Sequence, residues 1–382
     1  MTRVILLFAA VVTFAGCAPA NRAASDPKPP SPPRSDSPPY RGVALLHLTN
    51  DNGRVGYGSD ACLTSLERAR AVGVDAVSLR VPGRQPSVRD PRIRFGEEPP
   101  GEETDEAVVA AIEQAHSLGQ RVMLKPHIML DHITDKEWRG RIDFEDPALL
   151  AEWWKNYRAF ILRYARLAAE HDVELYCVGV ELMDMVARAP DEWRRLIADV
   201  RKVYPGRLTY AANWDAEFFR VPFWDALDFA AVQFFFPLST TPDPTDEELR
   251  AKVTTIARSL FEVSLRFDRP LLLTECGYRS VRGATVKPWV WPKDDPNATA
   301  DPALQARVYR TILDVFRERP AFAGLFWWNW VTIPDPGADA AKIFTPQGKP
   351  AMEVIRRAWT AEPGRSRAES RPADSPATTQ ER

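Results

Sequence analysis

Short apolar runs alternate with amphipathic stretches along most of the chain. The runs are "GVALLHL" (42–48), "VDAVSLRV" (74–81), "RVMLKPHI" (121–128), "ELYCVGVEL" (174–182), "RLTYAANW" (207–214), "DFAAVQFFFPL" (228–238), "RPLLLTECG" (269–277) and "AGLFWWNW" (323–330). Each has the length and composition of a strand buried on both faces. Helical spacing fills most of the gaps, first over 59–72. A second helix is capped by Thr104, carries Asp105 and Glu106 in its first turn, spaces Val108, Val109, Ile112 and Ala115 along one side, and stops at Gly119. Further helices are predicted over 147–170, from a cap at Asp191 to Val203, from the Thr245/Glu248 capping-box pattern to Phe267, over 301–319 and over 350–359. Strand and helix in alternation predict an α/β fold with a parallel sheet, and eight such units in roughly 320 residues suit a closed (β/α)8 TIM barrel, a single domain. A doubly wound open sheet is the competitor. The stretch after the first strand, "LTNDNGRVGYG", lacks the glycine spacing of a dinucleotide turn.

The ends of the chain read differently. Arg3, the apolar "VILLFAAVVTFA" and the small residues of "FAGC" before Cys17 have the order of a secretory signal. The small-small-Cys ending resembles a bacterial lipobox, which implies removal of residues 1–16 and lipidation of Cys17. Residues 17–39 then form a proline-rich tether, 40–360 the folded domain, and 361–382, without Leu, Ile, Val or an aromatic residue, a disordered tail. This reading places the protein in the bacterial cell envelope, facing the periplasm or the exterior, with the membrane as a partner through its lipid. The alternative is a plain secretory signal.

Composition narrows the function. The chain is 45% hydrophobic and 27% charged, with a net charge of −2 and no basic stripe. That argues against nucleic acid as a partner. Four cysteines, of which Cys17 is assigned to lipid, leave an odd number and no zinc-like spacing. No cofactor and no metal is expected, and the domain is expected to be a monomer.

In such a barrel the chemistry lies at the carboxyl ends of the strands. There the sequence places His47, Lys125 and His127, Glu181, Asn213 and Trp214, Phe235, Glu275, and Trp328 with Asn329 and Trp330. A strand-end histidine or tryptophan is by itself more often structural. The coincidence of polar and aromatic groups on one rim is the stronger signal. Glu181 and Glu275, from the fourth and seventh strands, stand across an eight-stranded ring, and glycoside hydrolysis needs such a facing pair of carboxylates. Aromatic rings beside them offer platforms for sugar faces.

The motifs "VMLKPHI", "YCVGVELM", "LTYAANW", "VQFFFPLS", "LLLTECGYRS" and "GLFWWNW", in this order over roughly 42–359, resemble glycoside hydrolase family 113, a family of retaining (β/α)8 glycosidases that are chiefly endo-β-1,4-mannanases. The resemblance implies Glu181 as general acid/base, Glu275 as nucleophile and Trp328 as the floor under the cleaved sugar. It also implies Lys125, His127, Asn213 and Trp214 as substrate contacts or their supports. His47, Trp330 and Phe235 complete the candidate rim. The sequence departs from related enzymes where a tyrosine hydroxyl commonly reaches the nucleophile: the matching position, taken as Phe235, cannot donate. Three readings follow. The first is a retaining endo-glycosidase acting on β-mannan or a related mannose-containing polysaccharide or oligosaccharide. The second is a surface glycan-binding lipoprotein with a weakened site. The third is a structural barrel in which Glu275 merely pairs with Lys125 or Arg279.

Overall fold

The computed structural model describes residues 38–49, 55–98, 102–133 and 137–360. The signal sequence, Cys17, nearly all of the tether and the tail at 361–382 lie outside the described residues.

Eight parallel strands close into a barrel in chain order: β1 (Tyr40–Leu46), β2 (Ala76–Gln85), β3 (Arg121–Leu130), β4 (Leu175–Val180), β5 (Arg207–Ala212), β6 (Ala230–Phe234), β7 (Leu271–Cys276) and β8 (Phe322–Val331), with β8 pairing β1. The fold is therefore the (β/α)8 barrel. Helices α1 (Asp60–Ala71), α2 (Asp105–Ser117) and α3 (Pro147–Glu170) follow the first three strands. The short α4 (Met183–Arg188) and then α5 (Pro190–Val203) follow β4. After β5 comes only α6 (Glu217–Arg220) and a 3-10 turn. The helices α7 (Asp246–Phe267), α8 (Pro302–Phe316) and α9 (Pro350–Thr360) complete the ring.

Local chemistry sets the helix starts. The Thr104 hydroxyl accepts from the Ala107 N–H, Asp301 from Leu304, and the Thr245/Glu248 capping box is fully formed. Asp191 is a correction: Ala189 is the N-cap of α5, Pro190 opens it, and Asp191 lies in its first turn. There the carboxylate favours the positive end of the helix dipole without capping it. The sixth strand is shorter than its apolar run. Ladder pairing stops at Phe234, and Phe235 and Phe236 lie beyond it.

The lumen is filled from the bottom by Tyr40, Ala76, Met123, Leu175, Phe229, Leu272 and Phe326, and nearer the top by Cys177, Val180 and Ala211. The outer faces of the strands pack on the helices in one large core. Cys62, Cys177 and Cys276 are free and buried. Among the described residues no helix is long and apolar enough to cross a membrane, and no group of three or more His, Cys, Asp or Glu is placed to hold a metal ion.

Candidate active site

Side chains alternate across a strand, so residues an odd number apart face opposite ways unless the ladder is interrupted. Leu272 faces the lumen, and regular alternation would send Glu275 outward. It does not go outward because β7 shifts register against β8 between Leu273 and Cys276, and β6 shifts against β7 between Val232 and Gln233. Strand β4 uses the same device. Its register against β5 shifts between Cys177 and Val180. The next residue, Glu181, then takes φ 51°, in the left-handed region, while its N–H donates to the Ala211 carbonyl at 3.0 Å. A non-glycine residue there stores strain of order 1–3 kcal/mol, a feature common where a side chain must be aimed. Both glutamates thus reach the mouth through local irregularities.

Glu275 is buried and ion-paired with Lys125 of β3, which is also buried. Burial pushes the Glu275 carboxyl up from its ordinary range, Lys125 pulls it down by charge and hydrogen bond, and the negative charge of Glu181 pushes it up again. The last effect places the two carboxylates within electrostatic reach of each other. The Lys125 ammonium also lies over the Trp328 ring, 5.9 Å from its centroid. Trp328 needs Gly277: a Cβ on that residue would come within 2.6 Å of the Trp328 carbonyl oxygen. Lys125, His127, Glu275, Trp328 and Arg80 line one small cavity at the barrel mouth. Arg80, from β2, is fixed by Glu103 at 2.7 Å.

Glu181 is held from two sides. The Asn213 side-chain N–H donates to Oε1 at 2.8 Å, and the Arg139 guanidinium donates to Oε2 at 2.6 Å. Arg139 belongs to a 3-10 turn, Arg139–Arg141, between β3 and α3, and a second donation, to the Ile128 carbonyl at 3.1 Å, anchors it. His127 is kept neutral: burial lowers its pKa well below the usual imidazole value, and the charges of Arg139, Lys125 and Arg80 add to the effect. Its Nε2 is buried without a protein partner.

Trp214 stacks on Trp289 with centroids 5.2 Å apart, and Trp291 stands edge-on to Trp328. Trp289 and Trp291 are each nearly half exposed. The Phe235 ring packs edge-on to Phe344 with centroids 6.3 Å apart. On the ladder it is Gln233 that pairs with Glu275. His47 turns to the β1–α1 connection, where its Nδ1 accepts from the Tyr57 N–H at 3.0 Å. Trp330 is a correction: its indole is fully buried and donates to the Ser65 hydroxyl at 2.9 Å, so it faces α1 and not the sugar side. Two residues after Trp328 on an ordinary strand would share its face. The irregular β1–β8 ladder, which skips Asn329 between Trp328 and Trp330, reverses this.

The third reading anticipated one feature correctly, since Glu275 does pair with Lys125; Arg279 pairs with Asp295 instead. Arg80 and Arg139 were not singled out in the sequence. Arg139 lies in a connection without periodicity, and Arg80 looks like an ordinary polar residue inside a strand.

The pair gives a pH test. Removing the Lys125 charge takes away what offsets the burial of Glu275, so the carboxylate ionises at higher pH. Lys125→Met is expected to move the acid limb of the kcat/KM profile upward, with a larger loss at about pH 5 than at about pH 8. A profile scaled down uniformly would show that Lys125 does not act through Glu275.

A parallel barrel with two carboxylates at its carboxyl end, flanked by cations and indoles, defines a glycoside hydrolase. The model of Glycoside Hydrolase Family 113 matches residues 49–349, and the chain belongs to that family. The structure superposes on the family 113 β-mannanase AaManA from Alicyclobacillus acidocaldarius, solved in complex with ManMIm, with 29% identity, TM-score 0.72, and 85% of this chain and 98% of that one covered. A complex of another family 113 β-1,4-mannanase gives 24% identity, TM-score 0.73, and 85% and 100% coverage. A family 5 mannosidase from Rhizomucor miehei shares the fold at 10% identity and TM-score 0.61, with 85% and 93% coverage. No curated protein sequence matches the chain.

Proposed function

We propose that this glycoside hydrolase cleaves β-mannan or a related mannose-containing polysaccharide, within the chain, by a retaining double displacement. The observation that carries the reading is the pair of buried glutamates, each aimed at the mouth by a ladder irregularity and each bound to its own cation. Glu275 attacks the anomeric carbon while Glu181 protonates the departing oxygen. Glu181, now a carboxylate, then takes the proton of the water that attacks the glycosyl ester and frees Glu275. The Lys125 charge and hydrogen bond oppose the rise that burial imposes on the nucleophile's carboxyl. Arg139 and Asn213 hold the two Glu181 oxygens in place at the mouth. The exposed Trp289 and Trp291 favour an extended substrate, because indole faces pack on sugar rings beyond the cleaved bond.

Reducing-end release from mannan, glucomannan, xylan and cellulose tests this. Activity on the first two, with a ladder of oligosaccharide products, is expected. A second reading, a glycan-binding protein with a weakened site, is favoured by Phe235, which offers no phenol, and by the Arg139–Glu181 ion pair. It predicts retention of the polysaccharides on an affinity gel without cleavage.

The amino-terminal sequence adds that Cys17 carries a lipid and tethers the domain to the cell envelope. Cys17→Ser is expected to release the protein from membranes. Equal retention of the variant after a carbonate wash would contradict the lipid anchor.

A further inference from the structure

Glu217 is among the most deeply buried carboxylates in the described part of the molecule, and nothing in the reaction above uses it. It opens α6, four residues after Asn213. Its Oε2 accepts from the Asn213 backbone N–H at 2.6 Å, and its Oε1 accepts from the Tyr210 hydroxyl at 2.5 Å. That hydroxyl accepts in turn from the Leu182 N–H at 2.7 Å. Leu182 directly follows Glu181, whose backbone is in the left-handed region. Asn213 is the residue whose side chain holds Glu181 Oε1. One carboxylate therefore fixes both the backbone just after Glu181 and the amide that orients its side chain.

We propose that Glu217 is a positioning residue for the acid/base glutamate, acting through Tyr210 on the Leu182 peptide and through the Asn213 backbone on the Asn213 amide. The proposal rests on the assignment of Glu181 as acid/base. Burial is costly for this group: it pushes the Glu217 carboxyl up to about 8, against the downward pull of its hydrogen bonds from Tyr210 and Asn213, and the charges of Glu181 and Asp184 add to the rise. A fully buried, imperfectly stabilised carboxyl group is a poor way to fill space, since an apolar residue of similar volume does that at lower cost. What the carboxyl group supplies is two oxygens at fixed positions, each accepting from one of two donors that flank one functional side chain. Displacing a proton donor by about an ångström is enough to cost about 10²-fold in rate.

The test compares Glu217→Ala, Glu217→Gln and Tyr210→Phe on two substrates. One is a β-1,4-linked mannooligosaccharide, whose leaving group needs a proton. The other is its 2,4-dinitrophenyl glycoside, whose leaving group does not. With the oligosaccharide, kcat of Glu217→Ala is expected to fall by about 10²-fold, with KM within about twofold. Glu217→Gln, which keeps one acceptor, recovers part of the loss. With the dinitrophenyl glycoside, the burst of dinitrophenolate keeps its rate and only the second step, which needs Glu181 as base, is slowed; azide does not restore it, because Glu181 still fills its place. Tyr210→Phe removes one hydroxyl from a ring that stays packed, and shows the same split should the Glu217 variants not fold. Equal losses on both substrates, a loss confined to KM, or no loss overturns the proposal. Glu181→Ala is run beside them. If it shows the split and the Glu217 and Tyr210 variants do not, the positioning role alone is wrong; if it does not, the acid/base assignment fails and the proposal falls with it.

Discussion

Glu275→Gln is expected to abolish cleavage of every glycoside, activated or not, with a loss on the order of 10⁴-fold or more. The substitution keeps the shape of the side chain and an acceptor for Lys125 but removes the nucleophile, so no glycosyl-enzyme forms whatever the leaving group. Glu275→Ala is expected to be equally inactive and also less stable, because it strands a buried ammonium. Breaking one side of a buried pair costs about 3–5 kcal/mol. Thermal melts of the two variants separate the effects: both lose activity and the counter-charge of Lys125, and the alanine variant, which also loses the acceptor and leaves a cavity, loses more stability. Full activity in either variant would rule out Glu275 as the nucleophile.

The second large effect falls on Glu181. Glu181→Ala is expected to reduce turnover of natural oligosaccharides by about 10²–10⁴-fold, the usual contribution of a general acid. The first step with a dinitrophenyl leaving group should proceed at near the native rate, since a good leaving group needs no proton. The glycosyl-enzyme then accumulates, because water has lost its base. Azide fits the space left by the carboxylate, needs no base, and should restore turnover with a glycosyl azide as product. The structure adds a condition: Glu181 is bonded by Arg139 and Asn213, and its removal leaves both donors facing that space, which favours an anion there. Absence of azide rescue, with the first step also slowed, would mean that Glu181 is not the acid/base.

Much of this architecture was legible because a barrel strand is buried on both sides and so writes itself as an apolar run. "LLLTECG" and "YCVGVEL" also announced their glutamates, since a carboxylate at the end of such a run is costly without a purpose. What alternation could not show was the facing of residues beyond an irregularity. Glu275 and Glu181 point into the mouth only because β7 and β4 break register, and Trp330 points away from it because β8 does. "VQFFFP" read as more strand than exists, because Phe235 and Phe236 are apolar for packing outside the ladder. The loop residues carry no periodic signal at all. Arg139 reaches Glu181 from a 3-10 turn, and Glu217 reaches Tyr210 and Asn213 from a four-residue helix, so their partners become visible only once the chain is folded.

The central claim is that Glu275 forms a covalent bond to the sugar. A 2-deoxy-2-fluoro-mannosyl fluoride slows both steps but departs readily in the first, so it should accumulate the glycosyl-enzyme of a retaining enzyme. After incubation and proteolysis, mass spectrometry is expected to find one fluoromannosyl group, attached to Glu275 in the peptide that carries "LLLTECGYR", and no label in Glu275→Gln. A label on another residue, or rapid hydrolysis of mannan by an enzyme that never acquires one, would contradict the account.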